Sequence, residues 1–201
     1  GKLDIIAKED KVPVIGIPGG YPPRAALGYS FFGWLDVLHK LGFISDKIED
    51  VAVAIDDMRK FRDGEAKRLA RELAGKYIII YGANKHIDSV VMRWRSQLAE
   101  NAKTLSSTHL FPEMNHNETV GWEGPKKLLK DFVVVMLRDE SEHPRVAKRM
   151  DITKAMIGKE SKVIELRSKG RNLLSRMFNL INTGDFMSYY LAVLNGIDPT
   201  P

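Results

Sequence analysis

The chain has 201 residues, of which 44% are hydrophobic, and it carries a formal net charge of +5. This apolar content supports a full-sized core and excludes a disordered chain, while the apolar runs are too short to cross a bilayer. The absence of cysteine excludes a disulfide framework and favours a reducing, cytoplasmic setting. Lysine and arginine are spread along the chain, so we predict a solvated basic surface, with no nucleic-acid partner and no membrane contact.

The first predicted element is a buried strand over Val12–Pro18, an apolar and β-branched run that ends at Pro-Gly-Gly. A helix is predicted from near Pro23 to the residue before Gly42, because proline favours a helix start and glycine a helix end. Helical spacing of apolar residues predicts two further helices, over 48–61 and 65–76.

The remainder of the chain alternates apolar runs, typical of strands, with amphipathic stretches, typical of helices. The predicted strands are Tyr77–Gly82, Thr108–Phe111, 131–139 and 162–168, and the predicted helices are His86–Lys103, Trp122–Lys130, Pro144–Ile157 and Asn172–Leu194, the last as one helix or two. Strands that are apolar throughout and alternate with helices indicate a parallel sheet covered on both faces. We therefore predict one doubly wound, three-layer α/β domain over residues 1–201.

Parallel sheets of this class bind ligands beyond the carboxyl ends of their strands. Three polar stretches follow predicted strands and are expected at that edge, namely 18–24, 82–86 and 113–118. Gly19 and Gly20 would let a substrate approach the backbone, and Arg24 near a helix start suits an anion or a developing negative charge. A plain strand–helix turn with a surface arginine remains open as an alternative.

Familiar cofactor and catalytic motifs are missing from the sequence. The glycine-rich stretch 16–28 matches neither the dinucleotide nor the P-loop pattern, and no G-x-S-x-G is present. The spacing of His109, Glu113 and His116 is not that of a zinc helix, and Pro112 would break such a helix. The residue patterns therefore indicate an α/β ligand-binding domain in which Glu100 and His116 are acid–base candidates, with solvated surface as the alternative for both.

Four stretches together resemble one family, the bifunctional phosphoglucose/phosphomannose isomerases of archaea and some bacteria. They are "PGGYPPRAALGYSF" at 18–31, "ENAK" at 100–103, "FPEMNHNETVGWE" at 111–123 and "NGIDPTP" at 195–201. The resemblance covers most of the chain in family order, and "FPEMNHNE" is specific.

This resemblance implies the SIS fold, a flavodoxin-like sugar-isomerase unit, and the chain is similar to the C-terminal one of two such units. The family's N-terminal "GxGGS" turn and "SxSGxT" phosphate loop are not found in this sequence. Nor is the later helix that bears a lysine implicated in ring opening. We therefore expect the chain to be the C-terminal part of an enzyme that is weak or inactive as an isolated fragment.

The resemblance also implies an activity, which is the isomerisation of glucose 6-phosphate and mannose 6-phosphate to fructose 6-phosphate through a cis-enediol. Glu100 would be the general base, His116 would assist ring opening in the partner subunit's active site, Arg24 would stabilise the enediolate, and Thr200 would contact the sugar near C2–C3. A cytoplasmic homodimer of glycolysis and gluconeogenesis, with shared active sites, no cofactor and no metal, is implied as well. The alternative is a non-catalytic SIS-type module that binds a phosphosugar or mediates dimerisation.

Overall fold

The structure is a computed structural model that describes residues 1–200, so Pro201 of the "DPTP" sequence lies outside the described residues. Its contacts divide the chain into two compact units, Gly1–Glu49 and a second unit that begins at Asp50. A single domain over the whole chain stays a prediction. No helix within residues 1–200 combines the length and the apolar character that a membrane span requires.

The first unit contains α1 (Lys2–Glu9), a 3-10 turn (Pro23–Ala25) and α2 (Leu27–Lys40). The predicted strand over Val12–Pro18 is wrong, because this stretch pairs with no strand of residues 1–200 and its side chains are exposed. A β-branched run gains its stability from cross-strand packing and ladder hydrogen bonds, and neither is present here. The helix predicted from near Pro23 begins as the 3-10 turn and becomes an α-helix at Leu27.

The second unit contains a four-stranded parallel sheet in the order β2-β1-β3-β4. The strands are β1 (Tyr77–Ala83), β2 (Ser106–Phe111), β3 (Phe132–Arg138) and β4 (Lys162–Arg167). The helices are α3 (Ile48–Arg59), α4 (Gly64–Leu73), α5 (Asp88–Glu100), α6 (Glu118–Gly121), α7 (Lys126–Leu129), α8 (Pro144–Ile157) and α9 (Leu173–Leu194), with a 3-10 turn at Glu113–Asn115. The first two residues of α3 precede the unit boundary. The predicted parallel α/β fold is confirmed.

The two central strands, β1 and β3, are buried beyond their first residues, which is why their sequences are apolar throughout. Ile79 and Tyr81 of β1 pack on one face of the sheet, in a cluster that includes Met150 of α8. Gly82, on the other face, lies against Val91 of α5. Helices therefore cover both faces and give the three predicted layers.

One predicted helix, Trp122–Lys130, is largely wrong. The chain is helical only over Lys126–Leu129, and the residues before it form a turn. Gly124 precedes Pro125, and a residue before proline is disfavoured in the α conformation, so the helix cannot extend backwards through this pair. By contrast, the stretch predicted as one helix or two is a single helix, α9.

Helices α5 and α9 of the second unit approach each other closely at one point. The indole of Trp94 is buried, and its Nε1 donates to the carbonyl of Leu180 at 2.9 Å. Gly184, one turn further along α9, lies directly under the same ring, where a Cβ would stand 2.3 Å from Nε1. Only a residue without a side chain allows the two helices to approach this closely.

We expect Gly184→Ala to lower the free energy of unfolding by about 1–3 kcal/mol, because the added methyl group forces Trp94 or α9 to move. Urea unfolding of the chain measures this change. Gly64→Ala is the matched control, because Gly64 opens α4 with no heavy atom within 4 Å of the new methyl position, and it should be neutral or slightly stabilising. Equal stabilities for the Gly184 variant and the parent would contradict the close contact.

Candidate functional site

Glu100 lies at the amino edge of the sheet and not at the carboxyl edge. The helix between two parallel strands runs back from the carboxyl end of the first to the amino end of the second, and Glu100 is the last residue of that helix, α5. Its side chain is exposed. Lys103 Nζ donates to the backbone carbonyl of Glu100 at 2.6 Å. The rule that ligands bind beyond the carboxyl ends of strands therefore does not describe the position of Glu100.

The chain's last described residues reach the same edge. Helix α9 begins beyond the carboxyl end of β4 and returns to the amino edge, where Asp198 accepts a hydrogen bond from the backbone N–H of Thr200 at 2.8 Å. This bond lowers the pKa of Asp198, and the nearby Lys103 ammonium lowers it further. The effect of Lys103 on Asp198 agrees with this placement of residues 198–200 near the end of α5. The structure thus brings the predicted residues Glu100 and Thr200 to one edge.

Polar contacts between α5 and α9 hold these two segments together. Asp185 of α9 accepts from Arg93 Nε at 3.1 Å and Nη2 at 2.6 Å, and from Gln97 Nε2 at 2.8 Å. Just after α5, Asn101 Nδ2 donates to Ser188 Oγ at 2.9 Å. These contacts lie within one or two turns of Glu100, so they fix the end of the helix that carries it.

His116 lies at the opposite edge of the sheet, in the loop that follows β2, and its side chain is exposed. The six residues of β2 separate the two edges by roughly 20 Å, at about 3.3 Å per residue. The two predicted acid–base residues, Glu100 and His116, therefore do not meet within one copy of the chain.

The His116 loop, 112–118, is anchored on both sides of the histidine. Met114 is fully buried, and Asn115 Nδ2 donates to Thr153 Oγ1 of α8 at 3.0 Å. Glu118 accepts hydrogen bonds from Tyr81 and His109 of the sheet. The sequence analysis weighed His109 only as a metal ligand and did not single out Tyr81. Their only sequence signal is position, because both lie on predicted strands near the polar loop. The loop thus presents His116 outwards from a fixed base.

The other predicted site residues lie in the first unit. Arg24 occupies the 3-10 turn three residues before α2 begins, close to a helix start as predicted. Gly20 has φ +88°, a left-handed conformation that side chains disfavour, and Gly19 precedes it. The glycine pair therefore shapes a turn ahead of Arg24, while the roles in substrate binding stay predictions.

The carboxyl edge of the sheet is organised by a buried carboxylate, Asp139, directly after β3. It accepts from Arg176 Nε at 2.8 Å, from Ser168 Oγ at 2.6 Å and from the N–H of Ser141 at 2.9 Å. Burial alone would raise the pKa of Asp139, but these hydrogen bonds outweigh it and hold the pKa at about 2. The carboxylate therefore ties the ends of β3 and β4 to α9.

Of the three stretches predicted to follow strands, 113–118 follows β2 and residues 84–86 follow β1, whereas 18–24 follows no strand of residues 1–200. A cavity of about 180 Å³ lies between the ends of β1 and β3. Its polar lining is Asn84, Lys85, His86, Asp139, Ser141, Glu142 and His143. Asp139 is paired with Arg176, and Glu142 is paired with Arg138. These ion pairs hold the side of the cavity next to β3 in place.

Comparison with protein families supports the assignment made from motifs. A family model described as the bacterial phospho-glucose isomerase C-terminal SIS domain matches residues 62–201. A bifunctional phosphoglucose/phosphomannose isomerase of Caldicellulosiruptor bescii is 45% identical over 212 residues, covering 100% of this chain and 62% of that protein. One of the same description from Aquifex aeolicus is 34% identical, with the same coverage of 100% and 62%. The predicted family resemblance is confirmed, and the chain spans about 62% of the length of these relatives.

A solved structure agrees at the level of the fold. A glucose-6-phosphate isomerase-like protein from Thermus thermophilus superposes with a TM-score of 0.56 at 24% identity, covering 67% of this chain and 45% of that one. Together with the family match, this likeness identifies the parallel sheet with helices on both faces as the SIS fold.

We expect Asp139→Asn to lower the free energy of unfolding at pH 7 by about 2 kcal/mol, which is the linkage value of a carboxyl pKa depressed from 3.8 to about 2. In the parent, this contribution is complete above the unfolded pKa of 3.8 and disappears as the pH falls through about 2. The free energy of unfolding of the variant should not show this loss between pH 3.8 and about 2. Urea unfolding between pH 7 and pH 2 measures both effects, and Asp131→Asn, at an exposed carboxylate, is the control. A parent-like acid profile for the Asp139 variant would contradict the assignment.

Proposed function

The chain belongs to the family of the bacterial phospho-glucose isomerase C-terminal SIS domain, and we propose that it is part of an enzyme that isomerises hexose 6-phosphates. The proposed substrates are glucose 6-phosphate and mannose 6-phosphate, which give fructose 6-phosphate through a cis-enediol. Relatives 45% and 34% identical, named bifunctional phosphoglucose/phosphomannose isomerase, support this activity. The structural observation that carries it is the packing of α9 on α5, which leads Glu100 and the segment that carries Thr200 to the amino edge.

In the proposed reaction, Glu100 moves a proton between C1 and C2 of the open-chain sugar. A glutamate in water has a pKa of roughly 4.3 and is a weak base towards a carbon acid, so it needs a desolvated and aligned setting. The side chain of Glu100 is exposed in the described chain. We infer that protein beyond this single copy closes the site when substrate binds.

The position of His116 suggests what closes it. Because Glu100 and His116 lie at opposite edges of one sheet, a site that uses both must take them from two copies of the chain. In a two-fold dimer, each copy would give Glu100 and Thr200 to one site and His116 to the other. Histidine titrates near neutrality, so it can exchange the ring-oxygen proton during ring opening. This arrangement is our proposal for the homodimer with shared active sites.

Arg24 is the proposed partner of the enediolate. A fixed donor beside a developing oxyanion is typically worth ~3 kcal/mol of transition-state stabilisation. Isomerisation through an enediol moves protons and leaves the sugar's oxidation state unchanged, so the chemistry needs no redox cofactor. We place the enzyme in cytoplasmic hexose phosphate metabolism, that is, glycolysis and gluconeogenesis.

We expect Glu100→Gln to abolish isomerisation, because the amide has the shape of the carboxylate but cannot accept the carbon-bound proton. The assay uses the full-length gene product with fructose 6-phosphate and follows glucose 6-phosphate and mannose 6-phosphate separately. Glu123→Gln, at another exposed glutamate, is the control and should stay active. Unchanged turnover would remove Glu100 from the mechanism, and a well-folded but inactive parent would favour the phosphosugar-binding module.

The shared site predicts complementation between two inactive variants. When Glu100→Gln and His116→Ala proteins are unfolded together and refolded, each mixed dimer has one site with both native residues and one with neither. Random pairing makes half of the dimers mixed, so about a quarter of the parent activity should return.

The control for complementation is each variant refolded alone, which should stay inactive. If both residues acted within one copy, every site would lack one of them, and mixing would restore nothing.

A further inference from the structure

We propose that Glu118 is a positioning residue for His116, held in place by Tyr81 and His109. This inference rests on the proposed function, because it assigns His116 to the reaction. It concerns three side chains that neither the motifs nor the relatives assign to a role. Glu118 lies two residues after His116 and is the first residue of α6.

The two donors stand side by side in the sheet. Tyr81 of β1 and His109 of β2 are register partners, so their side chains project from the same face. The Tyr81 hydroxyl donates to Glu118 Oε1, and His109 Nδ1 contacts Glu118 Oε2. A carboxylate only accepts hydrogen bonds, so His109 carries a proton on Nδ1. Each oxygen of Glu118 is thus held by a different strand.

A third side chain fixes the direction of the tyrosine hydroxyl. Trp122, which follows α6, donates from Nε1 to the Tyr81 oxygen at 3.1 Å. Tyr81 has a single hydroxyl proton, and its ring is fully buried. Burial raises the pKa of Tyr81 well above its ordinary value, and the Glu118 carboxylate raises it further. The hydroxyl therefore stays protonated and keeps its proton aimed at Glu118.

These contacts reach His116 through the backbone. Asn117, between the two residues, accepts from the N–H of Glu118 at 2.6 Å, and the N–H of His116 donates to the carbonyl of Glu113 at 2.9 Å. On the other side of His116, Met114 is buried. The exposed histidine is therefore held between two fixed points, the buried Met114 and the hydrogen-bonded carboxylate of Glu118.

A purely structural reading is that Glu118 simply satisfies the Tyr81 hydroxyl. The two readings differ in a double-mutant cycle with His116. If Glu118 acts through His116, removing Glu118 lowers turnover little once His116 is already absent. If Glu118 only stabilises the fold, its removal lowers turnover equally with and without His116.

We expect Glu118→Ala to lower kcat by about tenfold to a hundredfold with KM changed less than about twofold, since small misplacements of a catalytic group carry losses of this size. In the His116→Ala background, the same change should cost less than about twofold. Glu118→Gln should recover part of the rate, because its amide oxygen still accepts from Tyr81. Glu123→Ala is the matched control and should retain the parent's kcat. Equal losses in both backgrounds, or a loss that falls mainly on KM, would overturn the proposal.

A second measurement separates this inference from the proposed function. Amide hydrogen exchange in the 201-residue chain reports the loop directly, whether or not the enzyme turns over. Glu118→Ala should speed exchange at the His116 amide, which donates to Glu113, at least about tenfold while the amides of β1 and β3 keep their protection. If the parent protein is inactive but shows this exchange pattern, the proposed isomerase activity is refuted while Glu118 is still shown to hold His116 in place. Unchanged exchange at His116 would refute the positioning role.

Discussion

The close approach of α5 and α9 is the contact on which the proposed site at the amino edge depends. Gly184 leaves room for the Trp94 indole, and that ring donates back to α9. Beside this contact, Asp185 pairs with Arg93. Glu100 ends the first helix, and the segment that carries Thr200 follows the second. If the helices moved apart, Glu100 and the segment that carries Thr200 would separate with them.

The topology of the sheet decides how the predicted acid–base residues are distributed. A helix that joins parallel strands must end at the amino edge, while a loop that follows a strand begins at the carboxyl edge. Glu100 belongs to the first kind of position and His116 to the second. Their separation is therefore built into the fold, and a proton-transfer site that uses both requires two copies.

Buried charges stiffen the carboxyl edge that carries the His116 loop. Arg138 and Asp139 are consecutive, yet they face different partners, with Arg138 bound to Glu142 at 2.9 Å and Asp139 to Arg176 at 2.8 Å. Buried ion pairs contribute little net stability, but the loss of one partner leaves a costly uncompensated charge. Each pair therefore resists displacement, which keeps the end of β3 in register with its neighbours.

The sequence by itself determined the fold class, the four strands of the sheet and most helix positions, because burial on both faces leaves an uninterrupted apolar run and exposed helices keep an amphipathic period. Its motifs also identified the family. It failed at Val12–Pro18, where a β-branched run finds no strand among the described residues, and at Trp122–Lys130, where Gly-Pro interrupts the helix.

The tertiary structure decided which edge each predicted residue occupies and which side chains anchor the His116 loop. Such contacts join residues far apart in the chain, as Tyr81 and Glu118 are, and local periodicity carries no information about them.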